Sequence, residues 1–168
     1  MSVKKAANLE MQCLNMIASD LSSLGFHSSS KGYSYLCHTI FFAVQDCRLL
    51  SSIGSKIFPK VAELFETKPS TVERTCRHSL DAVYLEGGLK NINSLVGFNY
   101  IKPYEKPSLT NFISTISERN IARFNRLKMA LKKRSLKKSL ILKLNKLFKM
   151  VVPKFLAARY VTCPDISL

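Results

Sequence analysis

Taken by the spacing of its apolar positions, the chain is a succession of helices with no strand pattern. Leu9, Cys13, Met16, Ile17, Leu21 and Leu24 recur at steps of three and four, the stripe of an amphipathic helix, and Gly25 ends it. His27 to Ser30 is a polar loop. Gly32 to Val44 returns to helix with Tyr33, Leu36, Ile40, Phe41 and Val44 on one side, and is expected at the centre of the core. A shorter helix is expected from about Leu49 to Phe58, and Pro59 suits the first turn of the next, where a missing N–H costs nothing. Val61, Ala62, Leu64 and Phe65 give way to the polar turn Glu66-Thr67-Lys68-Pro69. A helix from about Ser70 to Leu85 then places Val72, Cys76, Leu80 and Val83 inward, and Gly87-Gly88 stops it.

A short helical segment around Leu89 to Val96 precedes Gly97 and a loop with Pro103 and Pro107. Ser108 to Ser117 is helical again. From there to about Val151 neither Gly nor Pro interrupts the chain. Ile121, Phe124, Leu127, Leu131, Leu136, Leu140, Leu144, Leu147 and Val151 recur there between clusters of Lys and Arg. Pro153 is expected to close this helix and the last residues to be loose. The predicted fold class is all-α: a compact multi-helix domain over residues 1–118 that contains a helix-turn-helix, followed by a basic amphipathic C-terminal helix over residues 119–168.

Charge sharpens the division. Residues 1–118 carry 12 Lys and Arg against 10 Asp and Glu, whereas residues 119–168 carry 14 against 1. Such asymmetry suggests a polyanionic partner, nucleic acid or an anionic membrane surface. Hydrophobic residues make up 46% of the chain, enough for a folded core despite a formal net charge of +15. The five cysteines, Cys13, Cys37, Cys47, Cys76 and Cys163, form no Cys-x-x-Cys pair and sit mostly among apolar neighbours, which fits a reducing compartment. The N-terminal stretch lacks an uninterrupted signal-peptide core, and no apolar run is long enough to cross a bilayer, so a cytoplasmic location is expected. An enzyme is not expected: the sequence has no metal-ligand spacing, no Gly-rich phosphate loop and no recognisable Ser, His and Asp motif, so no catalytic residue, metal or cofactor is assigned. His27 and His38 are assigned structural or incidental roles. Tyr33, Tyr35, Phe41 and Phe42 fall at helical spacing, which favours core over a base-stacking platform.

Two helices joined by so short a polar turn form a helix-turn-helix candidate. In that motif the second helix enters the major groove and its N-terminal residues meet base edges. Thr71, Arg74, His78 and Asp81 lie on the outward face, with Ser70, Glu73 and Arg77 beside it. A guanidinium such as that of Arg74 can donate two hydrogen bonds to guanine, and a carboxylate such as that of Glu73 can accept from cytosine N4. Arg77 and His78, one turn further on, are placed for phosphates. Two other readings stay open: Ser70-x-x-Glu73 is also a capping-box pattern, and Arg74 and Arg77 could form an ordinary solvated face.

Three segments, Lys31-Gly-Tyr-Ser-Tyr-Leu36, Val72-Glu-Arg-Thr-Cys-Arg-His78 and Asn93-Ser-Leu-Val-Gly-Phe98, resemble in the same order the DNA-binding effector domain of the stage zero sporulation protein A family, the response regulators of endospore formation. The resemblance covers about residues 24–113. It implies a compact helical fold and base reading by Glu73 and Arg74; backbone or supporting roles are expected of Ser70, Thr71, Arg77, His78, Asn93 and Lys106. It also implies a short target box of the TGTCGAA type and a transcription factor that both activates and represses. Candidate partners besides double-stranded DNA are RNA polymerase and a second copy of the chain, with a membrane surface ranked below them. Two departures stand out. Thr71 occupies a position that is commonly Arg in the family, and the receiver domain that normally precedes the effector domain is expected to be lacking. Asp20 and Asp46, the nearby acidic candidates, lie on helical stretches without the acidic cluster that would bind Mg2+ for phosphoryl transfer.

The basic extension has no recognised counterpart in the family. A helix from about Arg119 to Val151 would span roughly 50 Å, long enough to lie along DNA and add phosphate contacts. It could also rest on an anionic membrane, or pack its Leu and Phe stripe on the domain or on a second copy. DNA contact by the charged face and packing of the apolar face is the favoured expectation. The alternative function is a membrane-surface or protein-interaction module acting through the tail, with a vestigial helix-turn-helix.

Overall fold

The computed structural model describes the backbone of residues 3–100, 102 and 105–159, and the side chains of residues 7–100, 102 and 105–143. Among the described residues six α-helices follow one another: α1 (Val3–Ser23), α2 (Lys31–Gln45), α3 (Phe58–Leu64), α4 (Pro69–Leu85), α5 (Ile92–Val96) and α6 (Leu109–Arg159). No strand occurs among the described residues, and the predicted all-α class holds. The chain divides into two compact units, Met1–Asn125 and Arg126–Leu168, with the boundary inside α6.

In the first unit, Cys13, Ile17 and Leu21 of α1, Leu36 and Ile40 of α2, Val61 of α3 and Val72, Cys76 and Leu80 of α4 are buried together with Phe112, Ile113 and Ile116 of α6. The inward face predicted for α4 is therefore the buried one. Each such Leu, Ile or Phe contributes about 1.5–3 kcal/mol on burial. Ser30 caps α2, its hydroxyl accepting from the Tyr33 N–H at 3.1 Å.

Two glycines let the backbones approach closely enough to fix α4. A Cβ on Gly32 would overlap the Ser79 hydroxyl, so the Lys31-Gly pair is where α2 crosses α4. A Cβ on Gly88 would collide with the Leu24 carbonyl oxygen, where the chain leaving α4 passes the end of α1.

Three expectations change. The single helix expected over residues 49–58 is a 3-10 turn, Cys47–Ser52, followed by one turn of π-helix, Ile53–Ile57; Asp46 starts it by accepting from the Arg48 N–H at 3.1 Å. Ser51, Ser52 and Gly54 are weak helix formers, which is why a regular helix does not establish itself before Phe58. Residues 119–125, expected in the extension, lie in the first compact unit: Asn120 is fully buried and Phe124 is 1% exposed. Pro153 costs α6 one backbone hydrogen bond but does not end it, and the helix continues to Arg159. Pro103, Cys163 and the end expected to be loose fall outside the described residues, as do the side chains of Leu144, Leu147 and Val151.

In the second unit, Lys132, Lys133, Arg134, Lys137 and Lys138 are exposed. So are Met129, Leu136 and Leu140, which share one strip of helix, and Ile141 and Leu142, which fall outside that strip. Among the described residues no helix is long and apolar enough to cross a membrane.

Candidate nucleic-acid interface

The turn between α3 and α4 is closed by its own backbone. Phe65 N–H donates to Val61 O at 3.1 Å and Thr67 N–H to Ala62 O at 2.9 Å. Between them Glu66 takes φ 50°, a left-handed conformation that costs a non-glycine residue about 1–2 kcal/mol. Lys68 is extended and caps α4 with its carbonyl, which accepts from Thr71 N–H at 2.9 Å and Val72 N–H at 3.1 Å. Pro69 occupies the first turn. Ser70 therefore stands inside the helix and is not its cap, and the capping-box reading of Ser70 and Glu73 does not hold.

Glu73 is engaged elsewhere. Its Oε1 accepts from Arg77 Nη2 at 2.8 Å, an i,i+4 pair with both side chains about half exposed. One step round the helix, Arg74 Nε donates to His78 Nε2 at 3.3 Å, which requires the Nδ1-protonated form of the imidazole. Two cation-centred pairs thus lie side by side on the exposed face of α4, preceded by exposed Lys68, Ser70 and Thr71. Behind them Cys76 is fully buried, and burial, with a smaller contribution from the Glu73 carboxylate, pushes its thiol up to about 12. It is an inert packing group and its burial holds the outward face in register.

Lys106 joins this face. It pairs with Asp81. Arg77, Asp81, Lys106 and Ser108 border a shallow depression of about 270 Å³. Ser108 caps α6, its hydroxyl accepting from the Asn111 N–H at 3.2 Å. Asn93 does not join the face. Its Oδ1 accepts from the Tyr100 N–H at 2.9 Å, and it borders a larger depression with Tyr84, Glu86 and Gly87, at the opposite end of α4 from Ser70 and Arg74.

The structure thus brings together Ser70, Thr71, Glu73, Arg74, Arg77, His78 and Lys106. Sequence reasoning passed over Lys68, an exposed cation at the head of α4, whose signal was its place immediately before Pro69 in the turn. Among the described residues no group of three or more His, Cys, Asp or Glu could hold a metal ion.

A family model described as sporulation initiation factor Spo0A C terminal matches residues 17–120, more than half of the chain and the whole of the α3–turn–α4 region. The all-helical core, the short-turn helix pair and this match agree on one assignment: the chain belongs to the Spo0A C-terminal family of DNA-binding regulators of sporulation transcription, whose partner is DNA.

Proposed function

We propose that the chain binds duplex DNA sequence-specifically at TGTCGAA-like boxes, with α4 in the major groove. Glu73 and Arg74 read neighbouring C and G, while Arg77, His78, Ser70, Thr71 and Lys106 hold phosphates or support those that do. The observation that carries this reading is the paired display of Glu73 with Arg77 and Arg74 with His78 on the exposed face of α4. Exposed i,i+4 pairs are worth only about 0.3–0.5 kcal/mol, so DNA can draw each member to a base edge or a phosphate at little cost. Asn93 acts indirectly, by holding the backbone at Tyr100.

Phosphoryl transfer to this chain is not part of the proposal, because its acidic candidates are occupied. Asp20 is buried against Arg119 and Arg123, and Asp46 is bonded to Arg48, which holds its carboxyl below the ordinary range. RNA polymerase and a second copy of the chain remain proposed partners of the DNA-bound form.

Selection of binding sites from a pool of random duplexes tests the reading. Enrichment of a TGTCGAA-like box is the expected outcome, and recovery of unenriched sequence would oppose it. The exposed Met129, Leu136 and Leu140 among lysines favour a second reading, contact of the extension with an anionic membrane. Co-sedimentation with vesicles of acidic lipid would support it, and equal recovery with neutral vesicles would not.

A further inference from the structure

Counted along the sequence, Arg119 and Arg123 are the first two cations of the basic extension. In the fold they face inward, to one carboxylate. Asp20 of α1 is 4% exposed. Its Oδ2 accepts from Arg119 Nε at 3.2 Å, Asn120 Nδ2 at 2.9 Å and Arg123 Nη1 at 2.8 Å, and its Oδ1 accepts from Arg123 Nη1 at 2.8 Å. Residues 119, 120 and 123 share one face of α6, so a single buried acid gathers all three across about a hundred residues of sequence. The Asn120 amide also donates to the Ile116 carbonyl at 2.9 Å, tying the cluster to the helix backbone. The arginine side chains are only 30% and 29% exposed.

We infer that Asp20 withholds Arg119 and Arg123 from the polyanion, so that the phosphate-binding footprint of α6 lies beyond Asn125. The inference rests on the DNA-binding reading above and adds to it which cations take part. A phosphate could recruit either arginine only by stripping counter-charge from a carboxylate that is out of water, whereas exposed Lys132, Lys133, Arg134, Lys137 and Lys138 surrender nothing comparable. Between Glu118 and Asp165 the sequence has no acidic residue, so the carboxylate that engages Arg119 and Arg123 comes from α1.

The test is the slope of log affinity against log salt for a duplex of scrambled sequence. Replacing the whole cluster by apolar residues, Asp20→Leu with Arg119→Met and Arg123→Met, removes the buried charges together and so preserves the fold better than removing one partner. The expected slope equals that of the unaltered chain, while Lys132→Gln with Lys133→Gln makes it shallower by about 1.8, roughly 0.9 for each phosphate no longer neutralised. A triple variant whose slope drops as far as that of the lysine pair overturns the inference. Asp20→Asn, verified as folded by circular dichroism, is expected to steepen the slope as the arginines come free; an unchanged slope counts against withholding. Should the unaltered chain show no salt-dependent DNA binding at all, the DNA reading fails, and arginine modification by phenylglyoxal still decides the Asp20 claim. Arg119 and Arg123 should react more slowly than Arg134 in the unaltered chain and as fast as Arg134 in Asp20→Asn; equal rates in the unaltered chain overturn it.

Discussion

In the compact unit, acidic and basic side chains are matched: Glu73 with Arg77, Asp81 with Lys106, Asp46 with Arg48, and Asp20 with Arg119 and Arg123. From Lys132 to Lys143 the sequence holds no carboxylate, and exposed lysines and Arg134 are interspersed with exposed Leu136 and Leu140. In the first arrangement the exposed pairs on α4 are weak enough for a base edge to draw a guanidinium away, whereas the buried pair at Asp20 is not. The second fixes only that positive charge is dense, which is what phosphate attraction needs and what salt screens. On the proposed reading, specificity belongs to the part of the chain up to Asn125 and nonspecific affinity to the part beyond it.

That division can be broken most severely by cutting in the wrong place. Truncation after residue 118 removes Arg119, Asn120, Arg123 and Phe124, leaving Asp20 as an uncompensated buried charge and a hole where Phe124 packed. The expected loss is on the order of 5 kcal/mol or more, comparable to the whole stability of a small domain. Chemical denaturation should show a protein largely unfolded, and a normal transition would place residues 119–125 outside the core after all.

Truncation after Asn125 should instead leave the unfolding transition nearly in place. Affinity for any duplex at low salt is expected to fall by roughly two to three orders of magnitude, with a much shallower salt dependence and the same preferred sequence. A lost preference would mean that the extension takes part in reading.

Gly32→Ala probes the crossing that holds α4. The added methyl meets Ser79, and a destabilisation of about 1–3 kcal/mol in denaturant titration is expected, because overpacking at a helix crossing outweighs the gain in helix propensity. Unchanged stability would show that α2 and α4 can part without cost.

Most of the helix-turn-helix was legible in the sequence because its cues are local. The spacing of Val72, Cys76, Leu80 and Val83 defines an inward face, and the polar turn with Pro69 marks the start of α4. The same locality misled at Ser70. Its distance to Glu73 fits a capping box, but Pro69 already begins the helix, and Glu73 is turned toward Arg77. From about Leu49 to Phe58 an ordinary helix was expected, whereas serines and Gly54 shift the backbone of Cys47–Ser52 and Ile53–Ile57 into 3-10 and π turns that hydrophobic periodicity does not register. Asp20 could not be read at all. Its partners lie 99 to 103 residues away, and charge counted along the chain assigns those arginines to the extension.

The most direct test of base reading by α4 compares binding of the chain and of Arg74→Ala to a TGTCGAA duplex and to a scrambled duplex across a salt series. The predicted result is a preference for the box that Arg74→Ala reduces by about 1–3 kcal/mol, with the salt dependence of nonspecific binding left intact. Equal binding to both duplexes, indifferent to Arg74→Ala, would contradict it and leave the basic extension as the source of the affinity.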